Sequence, residues 1–379
     1  MDANVHITLT EFRNESRILK EVFSLDKSGL FRGITIIALG AVDLPSLEII
    51  SPTIKVLRIH LKTRMLPKSM PFKIIKFIEY LIKCQVLIKN ESPKVVNVHS
   101  LSLLPMGWLS KLIFKPKLVY DAHELETETY GLTGLKKRIS KLIESIFIRT
   151  IDLIVVVSDN IANWYHNEYQ IDRPLVVKNS PCYSQSKRTD LLRKNLQIPS
   201  VQKIFLYQGG LTNGRGIDLI LDAAIQRNND AAFVFMGYGE LVPKLIHLSK
   251  KFNHIYYHPA VPPETLLEYT SSADIGLCVI PNTCLSYDYC LPNKLFEYAM
   301  CSLPVVVSPL KELSDTVTND GFGFVLPELS VNSLNKAIDN CLNVDLTNLS
   351  KNARKFAKEN CWETQEPAMI SSYYAILNQ

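Results

Sequence analysis

The residues best suited to chemistry in this chain stand at the ends of strand-like runs, where glycines, cations and a few carboxylates cluster. In YQGGLTNGRGIDLILDAA, Gly209, Gly214, Arg215 and Gly216 nearly spell a Walker A loop. Arginine, however, replaces its lysine, and glycine replaces the serine or threonine that holds magnesium. A P-loop nucleotide hydrolase is thereby disfavoured. A glycine-rich turn entering a helix, with an arginine beside it, still suits a phosphate, which backbone N–H groups and a guanidinium fork can grip together. The plain alternative is a tight turn with a solvated arginine.

FVFMGYGEL brings Gly237, Tyr238 and Gly239 to another strand end, where a ligand can approach the backbone. The third glycine of a dinucleotide fingerprint and its acidic ribose partner are missing, which argues against a nicotinamide dehydrogenase. In DYCLPNKLFEYAM a loop with Asp288, Tyr289 and Leu291 runs into a helix opening near Asn293 and carrying Lys294, Leu295 and Glu297. Lys294 and the free N–H groups of the first turn suit a diphosphate. Glu297, one turn on, suits the two hydroxyls of a ribose, because a carboxylate accepts from a vicinal diol with both oxygens. The same glutamate also reads as a surface residue compensating the helix dipole. KLVYDAHELETET puts His123 and Glu124 just past a strand, so His123 either faces a ligand or is a satisfied structural histidine. Arg13 and Arg17, in EFRNESRILK, either bind an acceptor phosphate or decorate the surface.

The elements that must position these residues alternate between apolar strand-like runs and amphipathic helices, the pattern of parallel sheets flanked by helices. Strands are expected at VHITLT, ITIIAL, KVLRI, VVNVHS, KLVYDAH and DLIVVVS, and in the second half at KIFLYQG, AAFVFMG, HIYYHPA, IGLCVIP and LPVVVSP. Between the halves, NSPCYSQSKRTD is polar, contains proline and lacks periodicity, as an interdomain connection does. The expectation is α/β: two doubly wound lobes, residues 1–184 and 185–360, facing each other across a cleft. In such sheets ligands sit outside the carboxyl ends of the strands.

A chain of 379 residues that is 47% apolar and 21% charged is long and hydrophobic enough for two cores, which excludes a disordered or fibrous protein. Eight cysteines show no CxxC pair and no histidine partners at metal spacing, so no metal is expected. The start, MDANVHITLTEF, lacks a secretory signal, and a cytoplasmic protein is expected. Residues 51–120 carry thirteen Lys and Arg, among them Lys68, against Glu79 and Glu91 alone. Such a stretch attracts polyanions. Within it, PFKIIKFIEYLIK sets Lys73, Lys76, Glu79, Tyr80 and Lys83 on one helical stripe and isoleucines, phenylalanine and leucine on the other. It reads either as a membrane-surface helix or as one packed on the sheet with its lysines in water. Aromatic residues do not interleave with the cations in a stacking pattern, which argues against nucleic acid as a partner.

Taken together, VYDAHE, IVVVSDNIANWY, PLVVKNSP, YQGGLTNGRGI, FMGYGE, YTSSADIGL, LPNKLFEYAM and the late Trp362 with Gln365 resemble the retaining glycosyltransferases of family four, of GT-B fold. The resemblance implies two Rossmann-like lobes, an acceptor-binding first lobe and a nucleotide-sugar-binding second one, with residues 361–379 returning to the first. It implies that His123 faces the donor sugar, that Arg215 and Lys294 clamp the pyrophosphate, and that Glu297 is the second acid of an E-x7-E motif and binds the ribose. Gly210, Gly214, Gly237, Tyr238, Gly239, Asp288, Tyr289, Leu291, Asn293 and Leu295 fall among the donor-binding positions. The first acid of the motif is absent: Tyr289 stands there, and Asp288 is the candidate to replace it. Gly210 stands where many members carry a second arginine.

The expected reaction moves a sugar from a nucleotide-diphosphate donor to an acceptor hydroxyl with retention, without metal or cofactor, in making a surface polysaccharide or lipid-linked oligosaccharide. The partners are then the nucleotide sugar, a glycan or lipid-linked acceptor, and an anionic membrane surface on the cytoplasmic side met through residues 51–120. The rivals are a nucleotide-sugar 2-epimerase of the same fold and a non-catalytic scaffold of a polysaccharide assembly complex.

Overall fold

The structure, a computed structural model, describes residues 2–13, 15–67 and 69–378. The chain divides into two compact units, one formed by 1–177 with 365–379 and the other by 178–364. The polar connection anticipated around residue 185 therefore belongs to the second unit.

The first unit holds strands β1 (Asp2–Ile7), β2 (Phe31–Leu39), β3 (Leu47–Ile49), β4 (Ile54–Ile59), β5 (Pro93–Val98), β6 (Lys117–Ala122), β7 (Leu153–Val156) and β8 (Leu175–Val176). Its helices are α1 (Ser16–Lys27), α2 (Met70–Glu91), α3 (Leu104–Phe114), α4 (Gly134–Phe147) and α5 (Asp159–Tyr169). The sheet order is β3-β4-β2-β1-β5-β6-β7-β8, parallel except for the edge strand β3. Strand order reverses at β1, because the chain goes from β1 out to β2 and later from β5 out the other way. Right-handed crossovers then put α1 on one face of the sheet and α2, α3 and α4 on the other. The short β3 and β8 have too few residues to show a period, and the sequence pattern does not mark them.

The second unit runs through α6 (Leu191–Leu196), β9 (Lys203–Gly210), α7 (Ile217–Ile225), β10 (Ala231–Tyr238), α8 (Val242–Lys251), β11 (Ile255–Pro259), α9 (Pro263–Thr270) and β12 (Ile275–Cys278). It continues with α10 (Leu285–Asp288), α11 (Asn293–Met300), β13 (Val305–Val307), α12 (Lys311–Asp320), β14 (Gly323–Val325), α13 (Val331–Asn343) and α14 (Thr347–Glu359). Its parallel sheet has the order β11-β10-β9-β12-β13-β14 and reverses beside β9. Strands β9 and β10 are buried on both faces, as their unbroken apolar runs require. Two cores lie on either side of this sheet, one around Phe296, Tyr298 and Phe356 and one around Phe205, Phe233 and Leu334.

The last helix, α15 (Trp362–Leu377), has its residues from Gln365 onward in the first unit. There Glu366 accepts from Ser24 Oγ of α1 at 2.6 Å, and the buried Tyr373 meets Phe31 edge to face.

The helix expected over PFKIIKFIEYLIK forms as α2, but it faces the other way from an ordinary sheet-packed helix. Tyr80, Cys84 and Ile88 are its buried residues, while Ile74, Ile75, Ile78 and Ile82 are exposed. Tyr80 is drawn in because its hydroxyl donates to Thr8 O at 2.7 Å, a bond that a solvent-facing tyrosine would forgo. Nor is the basic stretch a uniform field. Lys68 lies outside the described residues, and seven of the thirteen cations are held locally. Lys55 pairs with Glu91, Arg58 with Glu48, Arg64 with Glu11, Lys83 with Glu79, and Lys111 and Lys117 with Asp152, while Lys76 donates to Leu66 O.

Candidate functional site

In open α/β sheets, loops diverge at the carboxyl ends of strands where the strand order reverses, which leaves a crevice there. In the second unit that place is the end of β9, and side chains from four elements meet around it. Tyr207, Gln208, Gly209 and Gly210 end the strand. Lys294, at the start of α11, sets its ammonium 3.7 Å from the centroid of the Tyr207 ring. One turn later Glu297 accepts from Gln208 Nε2 at 2.6 Å, and Gln208 Oε1 in turn accepts from Thr270 Oγ1 at 2.8 Å. Helix α11 is pinned to the sheet by Tyr298, whose hydroxyl donates to Leu206 O at 2.9 Å and accepts from Gln208 N at 3.1 Å. Lys294 and Glu297 are thus held at one strand end by a tyrosine of their own helix, one turn after Lys294.

Arg215 comes from the loop after β9 and lies over the Tyr287 ring of α10, 5.5 Å from its centroid. Burial pushes the Cys290 thiol up to about 12, a rise that Arg215 and Lys294 both oppose. The loop can pass this close only because of its glycines. Gly216 has φ +75, and a Cβ on it would lie 2.1 Å from Val279 O. On the adjoining strand β10, a Cβ on Gly237 would lie 1.9 Å from Gly209 O, so the strand ends too meet closely only through glycine. Asn213 ties the loop down by donating its backbone and side-chain N–H groups to Glu240 Oε1 at 3.0 and 2.8 Å. The result is two cations and one oriented carboxylate beside exposed glycine backbone, an arrangement suited to a diphosphate joined to a diol.

The first unit builds a different cluster at its own reversal point, where β1, β5 and β6 lie side by side. His6 Nδ1 is 2.9 Å from His99 Nε2, His99 Nδ1 is 3.1 Å from Asp121 Oδ2, and His123 Nε2 is 2.8 Å from that same oxygen. Arg17 donates to both Asp121 oxygens, at 2.6 and 3.0 Å. Burial alone would raise the Asp121 carboxyl, but Arg17, and after it His123 and His99, outweigh burial and hold it well below the usual range. It is therefore an anion that only accepts, and the hydrogens between it and the imidazoles sit on nitrogen. Burial and then His99 lower His6, and burial lowers His99 despite Asp121, so both rings are neutral. Glu21, 3.1 Å from Arg17 Nε, is pushed well up by burial and by Asp121 and is a neutral acid.

These protonation states give one consistent direction of donation. Tyr373 Oη donates to Asn97 Oδ1 at 2.6 Å, Asn97 Nδ2 to Asn4 Oδ1 at 2.5 Å, and Asn4 Nδ2 to His6 Nε2 at 3.2 Å. His6 Nδ1 then donates to His99 Nε2, and His99 Nδ1 to Asp121. A buried file of polar groups runs from α15 to Asp121, every link satisfied. At its end His123 is half-buried and donates to Asp121 through Nε2–H.

Two triads here, His6–Glu21–His99 and His99–Asp121–His123, each bring three possible metal-ligand atoms within 4.8 Å of one another. Spacings of 93 and 22 residues hide this clustering from the sequence. In the second triad Arg17, His99 and His123 already occupy the lone pairs of Asp121.

Residues 34–179 match the family model "Glycosyltransferase Family 4" and residues 188–360 match "Glycosyl transferases group 1". The chain is a glycosyltransferase of GT-B fold. Among solved structures, sucrose-phosphate synthase from Thermosynechococcus elongatus is similar over 100% of both chains at 15% identity, with a TM-score of 0.81. A glycosyltransferase from Rickettsia africae is similar over 100% of this chain and 99% of its own, at 15% identity and a TM-score of 0.73. Anabaena HepE, solved in complex with UDP, covers 99% of this chain and 100% of its own at 12% identity, with a TM-score of 0.71. No curated protein matches the sequence.

In this glycosyltransferase the expected site residues are unevenly gathered. Arg215, Lys294 and Glu297 come together with Gly209 and Gly210 at the end of β9, and Asn293 is fixed beside them by Asn179, whose Nδ2 donates to its Oδ1 at 3.0 Å. Gly214, in the loop, has φ +76, and Tyr238 and Gly239 follow on the adjoining strand, with Tyr238 exposed. Leu291 and Leu295 bury their side chains in the core, so only their backbone is open to a ligand. Asp288 accepts from the Lys311 backbone N–H at 2.9 Å and so caps α12, and Tyr289 packs half-buried after α10.

Arg17 is no surface cation. It is buried and committed to Asp121, Glu21 and Val177 O, which corrects both readings of it as an acceptor-phosphate ligand or as decoration. Arg13 is exposed and paired with Glu11 and Asp43. The residues that sequence reasoning missed are Gln208, Tyr298, Asp121, His99 and His6. Each is a polar group inside an apolar strand or helix, or directly after one as His99 is, which is the signal that marks it.

Proposed function

We propose that this glycosyltransferase moves a sugar from a nucleotide-diphosphate donor to an acceptor hydroxyl with retention of anomeric configuration, in building a surface polysaccharide or lipid-linked oligosaccharide. The observation that supports this best is the meeting of Arg215, Lys294 and the Gln208-held Glu297 at the end of β9. The diphosphate gains negative charge as the glycosidic bond breaks. Fixed cations and the N–H groups that open α11 stabilise that charge more in the transition state than in the ground state. Glu297, oriented by Gln208, takes the ribose diol. In this reading two side-chain cations supply the charge that a divalent ion supplies elsewhere, and no metal takes part.

Resemblance, and not distance, assigns His123 to the donor sugar; its fixed Nε2–H leaves Nδ1 to contact a hydroxyl or the electron-poor ring. Asp288, with one oxygen on α12, keeps the second for the sugar in place of the missing acid. The nucleotides bound by HepE, UDP and UDP-glucose, make a uridine donor the first to try. A lipid-linked acceptor brings the protein to the cytoplasmic face of an anionic membrane.

The test supplies UDP-, GDP- and dTDP-sugars with a polysaccharide or lipid-linked acceptor extract and follows the product by NMR. Product with the donor's anomeric configuration, lost in Glu297→Ala and Arg215→Ala, is expected. Donor consumed without acceptor, giving an epimerised sugar, contradicts transfer, and a protein with no turnover is the scaffold reading.

A further inference from the structure

We propose that the first unit docks on an anionic lipid bilayer through the outward face of α2, α3 and α4, with apolar side chains entering the interface. The proposal deepens the acceptor side of the proposed function and rests on it for its purpose.

The face is built by helical spacing. On α2, Met70, Ile74, Ile78, Ile82 and Val86 recur every fourth residue and are 59%, 55%, 49%, 57% and 54% exposed. On α4, Leu135, Ile139, Leu142 and Ile146 repeat at helical spacing and are likewise exposed. Between these helices α3 presents Trp108 and Leu112. The three are neighbours on one side of the sheet. Gln85 of α2 donates to Met106 O and Ser110 Oγ of α3, at 3.1 and 2.9 Å, and Trp108 of α3 stacks obliquely on Phe147 of α4 at 5.4 Å. Single exposed apolar side chains are ordinary on a soluble protein. Periodic rows on three adjacent helices are not.

Charge says what covers them. Lys73 and Lys89 flank the α2 row, Lys115 ends α3, and Lys136 and Arg138 flank the α4 row; all five are exposed, and none of their side chains has an ion pair or hydrogen bond among the described residues. The acids of these helices are spent elsewhere. Glu79 caps the turn at Lys62 and Thr63, Glu91 holds Thr35 and Lys55, and Glu144 is buried among Tyr120, Tyr165 and Tyr169. An apolar strip with a cationic rim and an indole at its centre matches the depth profile of an anionic bilayer, where acyl chains lie under phosphates. A second copy of the chain would set like charges against each other around the same strip. No helix is long and apolar enough to cross a membrane, and contact is made from one side.

The test floats the full chain with vesicles of phosphatidylcholine alone, or with about a third phosphatidylglycerol, at low and at high salt. Binding to the anionic vesicles, partly kept at high salt, is expected, with a blue shift of the Trp108 emission. The variant Ile78→Asp/Ile82→Asp/Leu142→Asp, checked for an unchanged melting temperature, is expected to lower partitioning at least about ten-fold. Lys73→Glu/Lys89→Glu is expected to weaken binding at low salt only. Absence of binding, indifference to the triple variant, or a dimer that this variant converts to monomer overturns the proposal. Nucleotide binding, measured apart, separates the two ideas: vesicle binding without nucleotide binding removes the donor reading alone, and nucleotide binding without vesicle binding removes docking alone.

Discussion

Gln208 and Glu297, 89 residues apart, share a hydrogen bond of 2.6 Å that turns a carboxylate on α11 towards the end of β9. Gln208 is buried, and its other amide atom is taken by Thr270, so the amide that orients the carboxylate cannot itself turn without breaking two contacts. Glu297→Gln is expected to leave the melting temperature nearly unchanged while weakening nucleoside-diphosphate binding by about 1.5–3 kcal/mol, roughly ten- to a hundred-fold in Kd. Titration calorimetry with UDP checks this. Gln208→Leu is expected to cost stability as well, because the Glu297 carboxylate loses the Gln208 donor and the buried Thr270 hydroxyl is left with Leu266 O alone.

Gly216 joins the cation loop to the start of α7. Gly216→Ala forces a Cβ to within 2.1 Å of the Val279 carbonyl from a positive-φ backbone, and both effects act in the same direction. A loss of about 2 kcal/mol or more in the second unit and weakened nucleotide binding are expected, read by denaturant titration and calorimetry. Gly214→Ala, with φ +76 but open space around it, is expected to cost about 1 kcal/mol.

Alternation of apolar strands and amphipathic helices made both sheets legible, because buried parallel strands must be apolar throughout and crossover helices must not. Arg215, Lys294 and Glu297 were legible too, since glycine turns and helix starts fix what lies beside them. The histidine file was not. His6 lies on β1, Asp121 on β6 and His99 directly after β5, and only the strand order makes them neighbours. Arg17 misleads for the same reason: nothing near it in sequence announces the buried carboxylate, 104 residues on, that draws it inside. The isoleucine row of α2 reads as a core face by pattern, and only the packing of Tyr80 shows that the core lies on another side of that helix.

The file from Tyr373 to Asp121 predicts how tightly α15 is held. Tyr373→Phe removes the first donor and leaves the Asn97 carbonyl buried without it, at an expected cost of about 1–3 kcal/mol. Arg17→Met removes the cation from a buried carboxylate and is expected to cost about 3–5 kcal/mol. Urea unfolding of the two variants measures both.

Glu126, beside β6, carries a pH dependence of known sign. Burial pushes its carboxyl up to about 8, against the bond it accepts from Leu101 N. The folded state therefore holds a proton that the unfolded state loses near its ordinary value of about 4.3. Stability from this group is complete below that value and is lost as pH rises towards about 8, by up to about 1.4 kcal/mol per pH unit. Glu126→Gln is expected to flatten that slope, measured by urea unfolding across the interval.

Thermal-shift titration with UDP, GDP, ADP and dTDP tests whether the end of β9 holds a nucleoside diphosphate, since a ligand that binds only the folded state raises its melting temperature. At least one of the four is expected to stabilise the wild-type protein in the absence of metal, with the shift abolished in a folded Arg215→Ala/Lys294→Ala variant. A protein stabilised by none of them, or stabilised equally after both cations are removed, contradicts the account.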